Sequence, residues 1–279
     1  MIFNGRCDKI ENVMTEQDLS RLKRRFLKYI GQYRLKKSSE QQNIELKRKH
    51  TFRVCREMGL ICRGEGVNGN DALIAKAAAL LHDIGRFPQY SEFKTFNDRI
   101  SVNHGQLGAD VLVKQNLLEG IGEKESENPL IIRAVKYHNT FAIPRLDRRS
   151  VFFLELVRDA DKLDIWRVFV NYFAQPPALR ASAAGLSLPG GRGVTEGIVP
   201  HILKNRIVPI TLIKNLNDYK LLLISWVFGV NFRTTFRLFS NRRYARSIAA
   251  YLPDTAEIRQ AVSHIEDFAN VRAQNLSQG

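Results

Sequence analysis

The segment Ala77-Ala78-Ala79-Leu80-Leu81-His82-Asp83-Ile84-Gly85-Arg86 sets a histidine and an aspartate side by side where an otherwise apolar helix is about to stop. Burying two titratable groups there is unfavourable unless something pairs with them. A divalent cation would do so, because imidazole nitrogen and carboxylate oxygen are both metal ligands and one carboxylate can bridge two ions. A His-Asp dipeptide also serves as an ordinary helix-end cap, so its meaning depends on the rest of the chain.

Outward from this pair, further His and Asp residues fall on apolar helical faces. His50 shares the face of Leu46 and Val54 at i, i+4, i+8 in a helix expected over residues 39–61, with Ser39 and Gln42 spaced as a capping box. His104 opens a helix carrying Leu107, Val111 and Leu112. His138 ends a run with Ile131, Ala134 and Val135, and Asp161 follows Leu154 and Val157 in a helix over 150–173. Each alone reads as a hydrogen-bonded core residue or a tie between helices. Five such places, each unpaired polar group costing about 1–3 kcal/mol if buried, are better explained by one shared cation site. Of the six histidines, His201 and His264 do not join the set.

Four segments in order, Lys49-His50-Thr51-Phe52-Arg53-Val54, Leu80 to Arg86, Asn103-His104-Gly105 with Gly108, and Arg158-Asp159-Ala160-Asp161-Lys162-Leu163, resemble the HD-domain superfamily of metal-dependent phosphohydrolases. The resemblance covers about residues 45–170. It implies an all-α fold, an HD-domain helical core with additional C-terminal helices, and a site between helices. It also implies divalent metal ions, two in number (Fe, Mn, Zn, Ni or Co). One would be held by His50, His82, Asp83 and Asp161, the other by His104 and His138, with Asp83 bridging. Asp159 competes for the last ligand position, but Asp161 lies on the Leu154/Val157 face, so Asp159 is expected on the solvent side or behind the ligands. A Gly-Tyr-Pro segment is missing and Asn139 follows His138, which disfavours cyclic-dinucleotide cleavage and a third metal. Catalytic roles fall to Asp83, through the metals, and to Arg86, a fixed forked cation suited to phosphate oxygens. Lys162 and Arg167, after Asp161, could help hold anions, but solvated surface charge is the favoured reading.

The 279 residues suffice for a sizeable core. The expected organisation is a basic helical segment over 1–38, the metal-binding core over 39–174, a Pro/Gly loop or linker over 175–193, and a helical region over 194–279 packed on the core, closing one side of the site or forming a homodimer contact. The stretch from Pro88 to Asn103 is expected as a loop over the site mouth, its Phe87, Tyr90, Phe93 and Phe96 packing it down. Three cysteines without paired spacing point to a reducing, cytoplasmic setting. The first residues do not resemble a signal peptide, and the apolar run from Leu221 to Val230 is too short to span a membrane. The net charge of +15, with Lys47-Arg48-Lys49 among its clusters, attracts phosphorylated ligands. Solvated helix faces are favoured over a nucleic-acid site, for which no signature appears.

The expected activity is metal-dependent phosphohydrolase or phosphodiesterase chemistry on a nucleotide or other small phosphate ester. The same ligands also serve HD-type di-iron oxygenases, and a non-catalytic nucleotide-sensing module is the third alternative.

Overall fold

The computed structural model describes residues 14–122, 126–176 and 188–275, and among these the regular structure is entirely helical. Much of the segment expected as a linker, residues 177–187, lies outside the described residues, as do Cys7 and the N-terminal 13.

The centre of the molecule is α3 (Gly69–Leu81), rich in alanine and leucine. A helix so apolar is buried over most of its surface, and Leu73, Ile74, Ala75 and Ala77 through Leu81 all are. Its small side chains admit four neighbours: α1 (Glu16–Ile30), α2 (Ser38–Gly64), α6 (Asn128–Tyr137) and α7 (Arg148–Ala174). Helix α1 starts on a capping box between Thr15 and Asp18, and α7 on Asp147, whose carboxylate accepts from the Ser150 amide. Helix α2 begins at Ser38 without a side-chain cap, so the box expected at Ser39 and Gln42 does not form. Instead the Ser39 carbonyl accepts from the Asn43 amide group.

The chain after His82-Asp83 does not open into a loop. Residues Arg86–Phe93 form α4. Pro88 occupies its first turn, where an amide hydrogen has no helical partner to lose. The chain then runs irregularly to α5 (His104–Lys114), capped by Asn103. Three of the four aromatic residues pack it down, Phe87 buried against Phe26 and Tyr90 stacked on Phe96 at 4.8 Å, whereas Phe93 is exposed.

Two glycines bring the backbones together here. A Cβ on Gly85 would collide with the His104 carbonyl oxygen and the Gly108 amide nitrogen, and one on Gly105 would lie 2.6 Å from the Lys136 carbonyl oxygen. The turn after α3, the start of α5 and the end of α6 therefore touch through main chain.

Residues beyond 188 add α8 (Ile198–Leu203), α9 (Leu216–Ser225), α10 (Arg233–Asn241), α11 (Tyr244–Ala249) and α12 (Ala256–Asn275). They continue the same hydrophobic core. Trp166 of α7, fully buried, donates from Nε1 to the Leu223 carbonyl at 2.7 Å and packs on Phe239. Asp159 is fully buried, not on the solvent side. Its carboxylate accepts from the Asn231 and Phe232 amides and from the Asn231 side chain at 3.0–3.3 Å. Among the described residues no helix is long and apolar enough to cross a membrane.

Asp159 is thus the polar pin of the C-terminal helices. Asp159→Ala removes the acceptor of three donors on Asn231 and Phe232 and is expected to lower the unfolding free energy by about 2 kcal/mol. Urea denaturation measures this, and a loss below about 1 kcal/mol would show that apolar packing alone holds the region.

Candidate metal centre

Helices α3 and α6 each end on a histidine, and each histidine caps its own last turn. His82 Nδ1 donates to the Ala79 carbonyl and His138 Nδ1 to the Val135 carbonyl, both at 2.8 Å. These carbonyls have no further helical amide to accept from. Stopping the helix and orienting the ring are one act: with Nδ1 carrying the hydrogen, Nε2 presents its lone pair outward. His50 in α2 and His104 at the start of α5 are oriented by carboxylates instead, Nδ1 donating to Asp164 at 2.7 Å and to Asp98 at 2.6 Å. All four rings therefore aim Nε2 at the same place, where the neutral ring presents a lone pair.

The carboxylate of Asp83 sits there. Its Oδ2 lies 3.4 Å from His50 Nε2 and 3.6 Å from His82 Nε2, and Asp161 Oδ1 closes the group at 3.1 and 3.7 Å from the same two nitrogens. Its Oδ1 lies 3.3 Å from His104 Nε2 and 3.7 Å from His138 Nε2. The six residues expected as ligands are thus brought together, and each Asp83 oxygen faces a different subset.

These atoms fit divalent cations. Donors bonded at about 2.1 Å to one ion stand about 3.0–3.4 Å apart in octahedral or tetrahedral arrangement, close to the separations seen. His104 Nε2 and His138 Nε2 face each other at 3.0 Å. With both Nδ1 atoms already donating, two lone pairs meet there without a proton between them. His50 Nε2, His82 Nε2 and Asp161 Oδ1 are buried without a hydrogen-bond partner. Such groups are costly unless an ion satisfies them.

The electrostatics agree. Burial would raise the Asp83 carboxyl, but the charges of Lys47 and His82 outweigh it and hold the group well below the carboxylate range. Asp161 behaves likewise, burial being overcome by the close approach of the His50 and His82 rings. Burial and the Arg86 charge push His104 down to about 3, leaving a neutral imidazole. For His50, burial and Lys47 act downward, yet the nearby Asp161 and Asp164 carboxylates prevail and raise it.

Several residues differ from expectation. Arg86 spends Nη1 on Gln89, the Phe96 carbonyl and Asp98 at 2.6–2.8 Å, while its Nε stands 3.6 Å from Asp83 Oδ1. It thereby ties the Asp83 turn to the segment bearing Asp98. Lys47 is no surface charge: its ammonium meets Asp83 Oδ2 at 2.7 Å. Lys162 is also buried, 4.0 Å from Asp159, and burial lowers it to about 8. Arg167 binds Asp164 at 3.1 Å. Asp164 and Asp98, the orienting carboxylates, escape a reading based on apolar faces. Asp164 carries one usable signal, standing one helical turn beyond Asp161.

From this cluster a cavity of about 400 Å3 opens between the core and the C-terminal helices. Asp83, Asp161, His104 and His138 line its floor, and Lys47, Arg86, Arg158 and Lys162 bring positive charge to it. The facing wall is apolar, with Ile207, Val208, Leu222 and Trp226, and Phe141 stands at the mouth 85% exposed.

Residues 48–166 match the protein family described as the HD domain, so the chain carries an HD domain built around this cluster. HD domains are, as a class, metal-dependent hydrolases. Neither a curated protein nor a solved structure matches the chain significantly.

Two substitutions test the centre. Asp164→Asn weakens the acceptor that orients His50 and is expected to lower metal affinity about 10–100-fold in chelator competition; unchanged retention would leave Asp164 a purely structural partner of Arg53. Asp83→Ala is expected to empty both subsets by elemental analysis, whereas two ions per chain would show that Asp83 does not join them.

Proposed function

We propose that this chain hydrolyses small phosphate esters that carry an aromatic or apolar group, a nucleotide being the best fit. The observation that carries this is the cavity: the Asp83 cluster and four cations at one end, an apolar wall at the other. A phosphate ester with a base or similar ring matches both ends. A sugar or an inorganic phosphate alone would leave the wall unused.

Hydrolysis adds a water oxygen to phosphorus and breaks a P–O bond, with negative charge growing on the phosphoryl and leaving oxygens. Ions held by His50, His82, Asp83 and Asp161, and by Asp83, His104 and His138, would supply an activated water and charge neutralisation. The chain's own cations do the remainder. Arg158 is anchored through Nη1 to the Thr140 carbonyl and lines the cavity, where a guanidinium fork can meet phosphate oxygens. Lys162 adds a second positive charge one turn further along α7. Arg86, with Nη1 already bonded, acts chiefly by fixing the turn that bears Asp83. Phe141 and Trp226 flank the substrate's apolar part and exclude water from it.

The test is product release from a panel of nucleotides, dinucleoside polyphosphates and a chromogenic phosphodiester with Mn2+ or Fe2+, run beside Asp83→Ala. Turnover that vanishes in the variant supports the proposal. Metal-loaded protein that consumes dioxygen on substrate addition but releases no phosphate overturns it. Arg158→Ala is expected to lower kcat about 100-fold. Phe141→Ala is expected to raise KM for a nucleotide about tenfold with little change in kcat, and an unchanged KM would remove the ring from substrate binding.

A further inference from the structure

On the side of α2 and α7 away from the cavity, a second pocket of about 370 Å3 is lined by Arg53, Arg56, Glu57, Arg167, Arg242 and Tyr244. Four guanidinium groups share it. Two carboxylates oppose them: Glu57, which accepts from Arg242 Nη1 at 2.9 Å, and Asp164, which takes both Nε and Nη2 of Arg53 at 2.7 and 2.9 Å and Nε of Arg167 at 3.1 Å. Two positive charges are left over. Arg56 has no ion pair or hydrogen bond among the described residues and is exposed. Among the described residues the outer nitrogens of Arg167 make no hydrogen bond either, its contact with Asp164 being through Nε.

Like charges converging on one concavity repel unless an anion lies among them. A guanidinium fork with free outer nitrogens suits tetrahedral phosphate, to which it can give two parallel hydrogen bonds. The pocket is also built rather than incidental. Asp164, which fixes Arg53 and Arg167, is fully buried, and Arg242 is tied to Glu57 and the Tyr244 hydroxyl. Arg53, Arg56 and Arg167 come from α2 and α7 while Arg242 comes from the C-terminal helices, so a bound anion would span both parts.

We propose that this pocket binds an oligophosphate group, separately from the catalytic cavity. The chemistry asks for two or more linked phosphates, since two surplus charges must be met. A free oligophosphate and the phosphate tail of a nucleotide both qualify.

The test is calorimetric titration of the metal-loaded full chain with inorganic tripolyphosphate. The wild type is expected to show two sites and Arg56→Glu one, with turnover of the chromogenic phosphodiester in the absence of tripolyphosphate unchanged. Arg158→Glu, which alters the catalytic cavity, is expected to keep the site that Arg56→Glu loses, so the outcome does not depend on which ester the enzyme cleaves. Parallel titration with ATP separates the sources: equal affinity marks the phosphate chain as the ligand, and tighter ATP binding marks a nucleotide. Wild-type stoichiometry and affinity in Arg56→Glu overturn the proposal. So does capture of a single-stranded oligonucleotide with no Arg56-dependent binding of either small ligand.

Discussion

An imidazole has two nitrogens, and in this protein the position of the first dictates the use of the second. Each of the four site histidines gives its Nδ1 hydrogen to a fixed acceptor, two to carbonyls in the last turns of their own helices and two to carboxylates. Everything else about the site follows from this. With those hydrogens committed, the neutral rings present Nε2 as acceptors, and four acceptors plus two ionised carboxylates in one buried volume favour bound cations. The packing that brings them together rests on backbone contact at Gly85 and Gly105, where side chains would hold the three helix ends apart.

The orienting groups are themselves held by arginines. Asp98 sits under Arg86, and Asp164 lies between Arg53 and Arg167. Each carboxylate thus stays charged while buried or half-buried, which lets it polarise the ring it serves. The cost of these buried charges is spread over a network reaching from the cavity floor to the opposite surface of α2 and α7.

The fold and the ligand set were legible because both obey helical period. His50, His104, His138 and Asp161 each fall on a stripe of apolar residues, and an apolar stripe broken by a ligand type is visible without coordinates. What period cannot show is the far side of a helix. Lys47 and Lys162 sit in charged runs that look solvated, yet one points at Asp83 and the other is covered by the C-terminal helices. Asp159 was misread for the same reason: α7 is buried on two sides, and only the second burial, by residues 231 and 232, explains its carboxylate. Asp98 lies in irregular chain, where spacing carries no direction. Helix α4 was hidden by Pro88, which signals a break in mid-helix but is compatible with a first turn.

The cavity draws its ligands and its apolar wall from different stretches of the chain. The ligands all precede residue 162, whereas Ile207, Val208, Leu222 and Trp226 follow residue 188. Substitutions in the wall can therefore accumulate without touching a metal-binding side chain, provided Asp159 keeps its amide partners. Such an arrangement separates heritable change in the shape of the cavity from change in the cluster at its floor. A lineage carrying this architecture is free to drift in what the cavity admits while the cluster stays fixed.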